Sequence, residues 1–181
     1  MRKKMSKNIV ILSGSPRKNE NTDKLVAAFI DGAKSADKNV TLFRVADMSI
    51  GGCLGCKYCL DNKGVCSQND DMTQIRDVIQ KSDTIVFASP VYYAGVSAQL
   101  KSVIDRTYAL WEVETAVKQA VLLMTCEDAS TAEGAIVMYK IILDFEEWDD
   151  AGIIIASGLE DEKTIDGHET LEQAYKLGQE I

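Results

Sequence analysis

The chain has 181 residues, 46% of them hydrophobic, enough to bury a core without disulfides, and the expectation is one domain over 1–181 with residues 1–7 peripheral. A formal net charge of -8, with no basic block beyond Arg2, Lys3, Lys4 and Lys7, argues against nucleic-acid and anionic-membrane partners and favours small molecules. No apolar run reaches the length of a membrane span, and the charged N-terminus leads into no signal-peptide core, so a cytoplasmic protein is expected.

The first apolar run, Asn8 to Leu12, reads as a buried strand. It leads into Ser13-Gly14-Ser15-Pro16-Arg17, then Asn19, Asn21 and Thr22, before a helix marked by Leu25, Val26, Phe29, Ile30 and Ala33. A strand-to-helix turn presents unpaired backbone N–H groups and the positive end of a helix dipole, which suits a phosphate. Ser13, Ser15 and Thr22 add hydroxyls, Gly14 lets the backbone approach closely, Pro16 fixes the turn and Arg17 offsets charge. The Gly-Lys-Ser/Thr ending of a P-loop and the three spaced glycines of a dinucleotide fingerprint are both missing, so a mononucleotide with one terminal phosphate fits better. The simpler reading is a turn in which Thr22 caps the helix.

Val40 to Val45 reads as a second strand, followed by a long irregular stretch, roughly Ala46 to Asp71. Long loops in compact domains are usually functional. This one holds Cys53, Cys56, Cys59 and Cys66 in a C-x2-C-x2-C-x6-C run, and four closely spaced thiolates suit a 4Fe-4S cluster. A metal-free loop with redox-capable or structural thiols is the first reading, and the cluster is kept as the alternative. Zinc ranks last, because zinc sites usually separate two cysteine pairs by a longer insert.

Met72, Ile75, Val78 and Ile79 mark the next helix, and Thr84 to Ala88 the third strand. The loop that follows, Ser89 to Ser97, offers Pro90, Val91, Tyr92, Tyr93 and Gly95, which can wall a flat apolar ring and present backbone groups to its polar edge. A helix with Leu100, Val103, Ile104 and Tyr108 on one face carries Asp105-Arg106. The fourth strand, Ala120 to Met124, ends at Thr125-Cys126-Glu127-Asp128-Ala129, where Cys126 is expected to be a small buried thiol. Ile136, Tyr139, Ile142 and Leu143 mark a helix, Gly152 to Ala156 a fifth strand, and Leu171, Ala174 and Tyr175 a closing helix near His168, expected to be exposed and no ligand. This alternation predicts an α/β fold: a three-layer, doubly wound, five-stranded parallel sheet with helices on both faces.

The segments S-G-S-P-R-K-N-E-N-T and S-P-V-Y-Y-A-G-V-S-A-Q-L-K-S-V-I-D-R resemble the NADPH-dependent FMN reductase family of flavodoxin-like proteins, which includes the iron-sulfur flavoproteins. The resemblance covers roughly Asn8 to Leu110. It implies strand order 2-1-3-4-5, in which the loops after the first and third strands flank one crevice. It implies FMN there, with Ser13, Ser15, Arg17, Asn21 and Thr22 around the phosphate and Pro90, Val91, Tyr92 and Tyr93 against the isoalloxazine. Pro16 and Gly95 accompany them, with Thr125 from the loop after the fourth strand, where relatives carry glycines.

The chemistry so implied is hydride transfer from NAD(P)H to bound FMN and onward transfer to a small acceptor: a flavin, quinone, nitro or azo compound. The cofactor carries that chemistry, so no catalytic side chain is assigned. Iron-sulfur flavoproteins carry a similar cysteine run, and a cluster at Cys53, Cys56, Cys59 and Cys66 would imply an electron-transfer protein serving a ferredoxin-like carrier. Relatives that are purely flavoproteins share the C-x-G-C-x-x-C, G-x-C and D-D-M pattern. A non-enzymatic flavin-binding redox sensor is a further reading. The resemblance also implies a homodimer or homotetramer, with Trp111 and Trp148 expected on exposed contact surfaces.

Overall fold

The computed structural model describes residues 7–111, 113–160 and 164–181. Strands β1 (Asn8–Ser13), β2 (Asn39–Arg44), β3 (Thr84–Pro90), β4 (Gln119–Thr125) and β5 (Asp149–Ala156) pair in parallel in the order β2-β1-β3-β4-β5. The helices between and after them are α1 (Asn21–Ser35), α2 (Tyr58–Asp61), α3 (Met72–Ile79), α4 (Ala98–Arg106), α5 (Glu133–Glu146) and α6 (Glu169–Glu180).

Successive strand residues point to opposite faces, so the continuous apolar runs of the central strands feed two cores. Ile9, Ile11, Val86, Ala88, Val121 and Leu123 pack against α1 and α6. Val10, Leu12, Ile85, Phe87, Ala120, Leu122 and Met124 pack with α3, α4 and α5. This is the expected three-layer, doubly wound arrangement. Because every strand runs the same way, the loops after β1, β2, β3 and β4 emerge at one end of the sheet, and the order reverses between β1 and β3.

Several expectations are corrected by position. β2 is an edge strand without a fully buried residue, and in β5, the other edge, only Ile154 and Ala156 are buried. An edge strand is covered on one side only, which strand composition does not reveal. Tyr108 is exposed, because α4 ends at Arg106 and the helical stripe stops with it in the 3-10 turn Thr107–Leu110. Tyr175 is exposed because α1 and α6 meet through glycine: a Cβ at Gly32 would lie 1.9 Å from the Tyr175 carbonyl oxygen, and one at Gly178 2.2 Å from that of Phe29. Backbone fills the space a tyrosine ring would need.

His168 is half-buried rather than exposed. Its Nδ1 accepts from the Thr170 N–H at 3.3 Å as the cap of α6, and its Nε2 lies 3.2 Å from the Ser157 carbonyl. Trp148 is half-buried against the core, whereas Trp111 is exposed. Among the described residues no helix is long and apolar enough to cross a membrane. The expectation for residues 1–7 falls, apart from Lys7, outside the described residues.

Candidate functional site

The loop after β1 is fixed from three sides. Gly14 donates to Ala88 at the end of β3 (2.8 Å), and its carbonyl accepts from Ser97 Oγ (2.7 Å). Ser97 caps α4, its Oγ accepting from Leu100 N at 3.3 Å while its own N–H donates to Ser89 Oγ at 2.9 Å. A Cβ at Gly14 would stand 2.5 Å from Ser97 Oγ and 2.6 Å from Leu100 Cβ. Gly14 is therefore required by the seam with α4, a reason different from the ligand approach inferred from sequence. Arg44, at the end of β2, closes the outer side: it pairs with Asp23 and Asp47, and its guanidinium donates to the carbonyls of Ser15 and Arg17, both at 3.4 Å.

This loop opens onto a cleft of about 280 Å³. Ser15, Arg17, Asn21 and Thr22 line it on one side, and Pro90, Val91, Tyr92 and Thr125 on the other, as expected. Ser13 lies fully buried beneath the loop, its Oγ without a hydrogen-bond partner. Pro16, Tyr93 and Gly95 are not among the lining residues: Pro16 is exposed at the turn, and Tyr93 and Gly95 belong to the hairpin at the rim. Thr22 does not cap α1; its hydroxyl meets that of Thr125 at 2.7 Å, a buried link between the loops after β1 and β4. Glu20 holds the cap position of α1 without a side-chain cap bond.

Glu20, Cys126, Glu127 and Leu159 also line the cleft and were missed by sequence reasoning. For Cys126 and Glu127 a signal existed, since β4 borders β3 and its carboxyl end must adjoin the crevice. Leu159 arrives from the loop after β5, held by a backbone bond from Leu159 N to the Cys126 carbonyl at 3.2 Å, and no motif marks it. Burial pushes the Cys126 thiol up, keeping it protonated, as a small buried thiol should be.

On the ring side, Val91 N donates to the Thr125 carbonyl at 2.9 Å. Tyr92 and Gly95 exchange backbone bonds of 2.9 and 3.1 Å around Tyr93 and Ala94, whose φ of 48° and 60° are left-handed. That is the two-residue hairpin geometry which asparagine and glycine usually supply. Gly134 at the start of α5 supports it, since a Cβ there would lie 2.3 Å from the Ala94 carbonyl oxygen. The start of α1, Arg17 and the hydroxyl-bearing walls of Ser15, Thr22 and Thr125 fit a phosphate, while Pro90, Val91, Tyr92 and Leu159 fit the side of a flat ring.

The cysteine loop, which follows β2 at the same end of the sheet, is closed at its base. Asp71 Oδ2 accepts from Ser49 N (2.7 Å), and Asp70 accepts from Gly51 N (3.1 Å) and Met72 N (3.2 Å). Arg106, the last residue of α4 and only 3% exposed, donates two parallel bonds to Asp70 (2.7 and 2.9 Å) and one to the Gly51 carbonyl (2.9 Å). The Arg106 bonds hold the Asp70 carboxyl below the usual range.

Cys53, Cys56, Cys59 and Cys66 all line one cavity of about 470 Å³, together with Arg106 and Tyr108. Ser67, 3.4 Å from the Cys56 sulfur, holds that thiol below its ordinary pKa, whereas burial pushes Cys59 up. Among the described residues, no three His, Cys, Asp or Glu side chains converge as ligands of a single metal ion would. Four cysteines lining one cavity match the ligand number of a cluster with one thiolate per iron.

An iron-sulfur flavoprotein from Archaeoglobus fulgidus is 40% identical over 93 residues, 51% of this chain and 42% of that protein. The chain spans about half the length of the curated relatives it matches. A solved NAD(P)H:quinone oxidoreductase from Methanothermobacter marburgensis has the same fold, with a TM-score of 0.80 at 18% identity over 96% of this chain and 95% of that one. So does an FMN-dependent NADH-azoreductase from Bacillus anthracis in complex with FMN, at 0.66 and 14% over 96% of each chain. The sequence profile described as NADPH-dependent FMN reductase matches residues 7–148, and the chain belongs to that family.

Proposed function

We propose that the chain binds FMN in the cleft between the loops after β1, β3 and β4 and works as an oxidoreductase whose cysteine loop holds a 4Fe-4S cluster as a second redox centre. The observation that carries this reading is the placement of all four loop cysteines along one cavity beside a buried arginine. The matched iron-sulfur flavoproteins support it. The first turn of α1, with Ser15, Arg17 and Asn21, binds the phosphate. The Thr22–Thr125 hydroxyl pair fixes the spacing of the two loops, and Pro90, Val91 and Tyr92 orient the ring. Bound FMN supplies hydride acceptance and single-electron exchange. The cysteines hold the cluster at the same end of the sheet, within reach of a ferredoxin-like carrier.

A second reading, an NAD(P)H-dependent reductase of a flavin, quinone, nitro or azo compound, is favoured by the exposed aromatic side chains of Tyr92 and Tyr93 at the rim, which would offer faces for a nicotinamide to stack on. Anaerobic mixing of the FMN-loaded protein with NADH, NADPH or a reduced one-electron dye separates the two. Fast reduction by the dye alone is expected. Rapid multiple turnover with NAD(P)H and a quinone, with no carrier present, supports the second reading, and the cluster then stands or falls on iron and sulfide content.

A further inference from the structure

Arg106 comes from the Asp-Arg pair near the end of the second motif, to which the flavin cleft gives no task. Its side chain is 1% exposed. Burying a guanidinium is costly unless each N–H finds a partner. Two of its nitrogens do: one bonds Asp70 and the Gly51 carbonyl, the other bonds Asp70. The third, Nε, is buried and has none. Arg106 lines the cysteine cavity together with Cys66, and the same two residues border a second, smaller cavity.

We infer that Arg106 is a positioning and tuning residue for the sulfur centre: it ties the two ends of the cysteine loop to α4 and presents a fixed positive charge and an N–H donor to the sulfur around Cys66. The inference rests on the cluster reading above. Iron-sulfur potentials depend on net charge and on hydrogen bonds to sulfur, and a buried cation favours the more negative, reduced state. Asp70 opposes this charge in part, so the two residues act in opposite directions.

The test uses the full chain, purified anaerobically with FMN, as wild type, Arg106→Gln, Arg106→Lys and Asp70→Asn. FMN, iron and sulfide per chain are measured first, and the cluster is then titrated with dithionite and followed by EPR. Arg106→Gln is expected to weaken reduction at least tenfold, a fall of about 59 mV for a one-electron couple, with Arg106→Lys recovering most of it. Asp70→Asn is expected to shift the potential the other way. Iron retained in Arg106→Gln with an unchanged potential overturns the inference while leaving the cluster reading intact. If Arg106→Gln loses its iron, Arg106→Lys decides: iron retained at nearly the wild-type potential supports the inference, and iron lost or held at a shifted potential overturns it. Wild type without iron fails the cluster reading itself, and the inference with it.

Discussion

At Gly14 one missing methyl group decides how closely the first loop meets α4. Replacing Gly14 by Ala puts a Cβ against Ser97 Oγ and Leu100, and such overpacking costs about 1–3 kcal/mol. Urea unfolding of Gly14→Ala is expected to show that loss, and titration with FMN a weaker affinity, because Ser97 joins the loops on both sides of the cleft. A second prediction concerns Asp70. Its folded pKa lies below the unfolded value of about 3.9. The ion pair therefore stabilises the fold fully above that value and is lost as pH falls through the lowered one. Asp70→Asn strands a buried cation and should cost roughly 3 kcal/mol at neutral pH. The gap from wild type in urea midpoints should narrow below pH ~4, in the range where Asp70 itself becomes protonated; a gap independent of pH contradicts the pairing. The lining residues of the cleft were mostly legible, since eight of the expected positions border it. Arg106 was not, because burial of a helix-end arginine depends on the distant Gly51 and Asp70.

Among the elements, the central strands were readable because both their faces are buried, which leaves an unbroken apolar run. Edge strands β2 and β5 carry the same kind of run, yet β2 has no buried residue and β5 has two. The α1–α6 contact was invisible to periodicity, since its decisive residues, Gly32 and Gly178, have no side chain to make a stripe. Gly32→Ala should force α1 and α6 apart against backbone, destabilising by about 3 kcal/mol, the upper end of the range for overpacking. Thermal unfolding followed by circular dichroism checks this, and a fall in Tm of less than a degree would mean that the helices separate freely. The hairpin at Tyr93 and Ala94 was equally hidden: neither residue type announces a left-handed backbone, and Gly134 supports it from another element.

Across the molecule, parallel strands deliver the cleft and the cysteine cavity to one end, so a single topology serves both proposed centres. Away from that end, α5 exposes Val137, Ile141 and Phe145, and the Phe145 ring lies 4.1 Å from that of Trp111 between centroids. A contiguous apolar strip of this kind suits a second copy of the chain, the partner expected from the sequence, with Trp111 at the contact and Trp148 turned inward. Sedimentation equilibrium should find a dimer or larger assembly that Ile141→Glu shifts toward monomer. An unchanged mass distribution would move the contact elsewhere. The central claim, that FMN and an iron-sulfur cluster share this fold, is tested most directly by the FMN, iron, acid-labile sulfide and zinc content of one anaerobic preparation. The account predicts FMN together with iron and sulfide at about four each per flavin, the stoichiometry of a 4Fe-4S cluster; FMN with zinc, or with no metal at all, would contradict it.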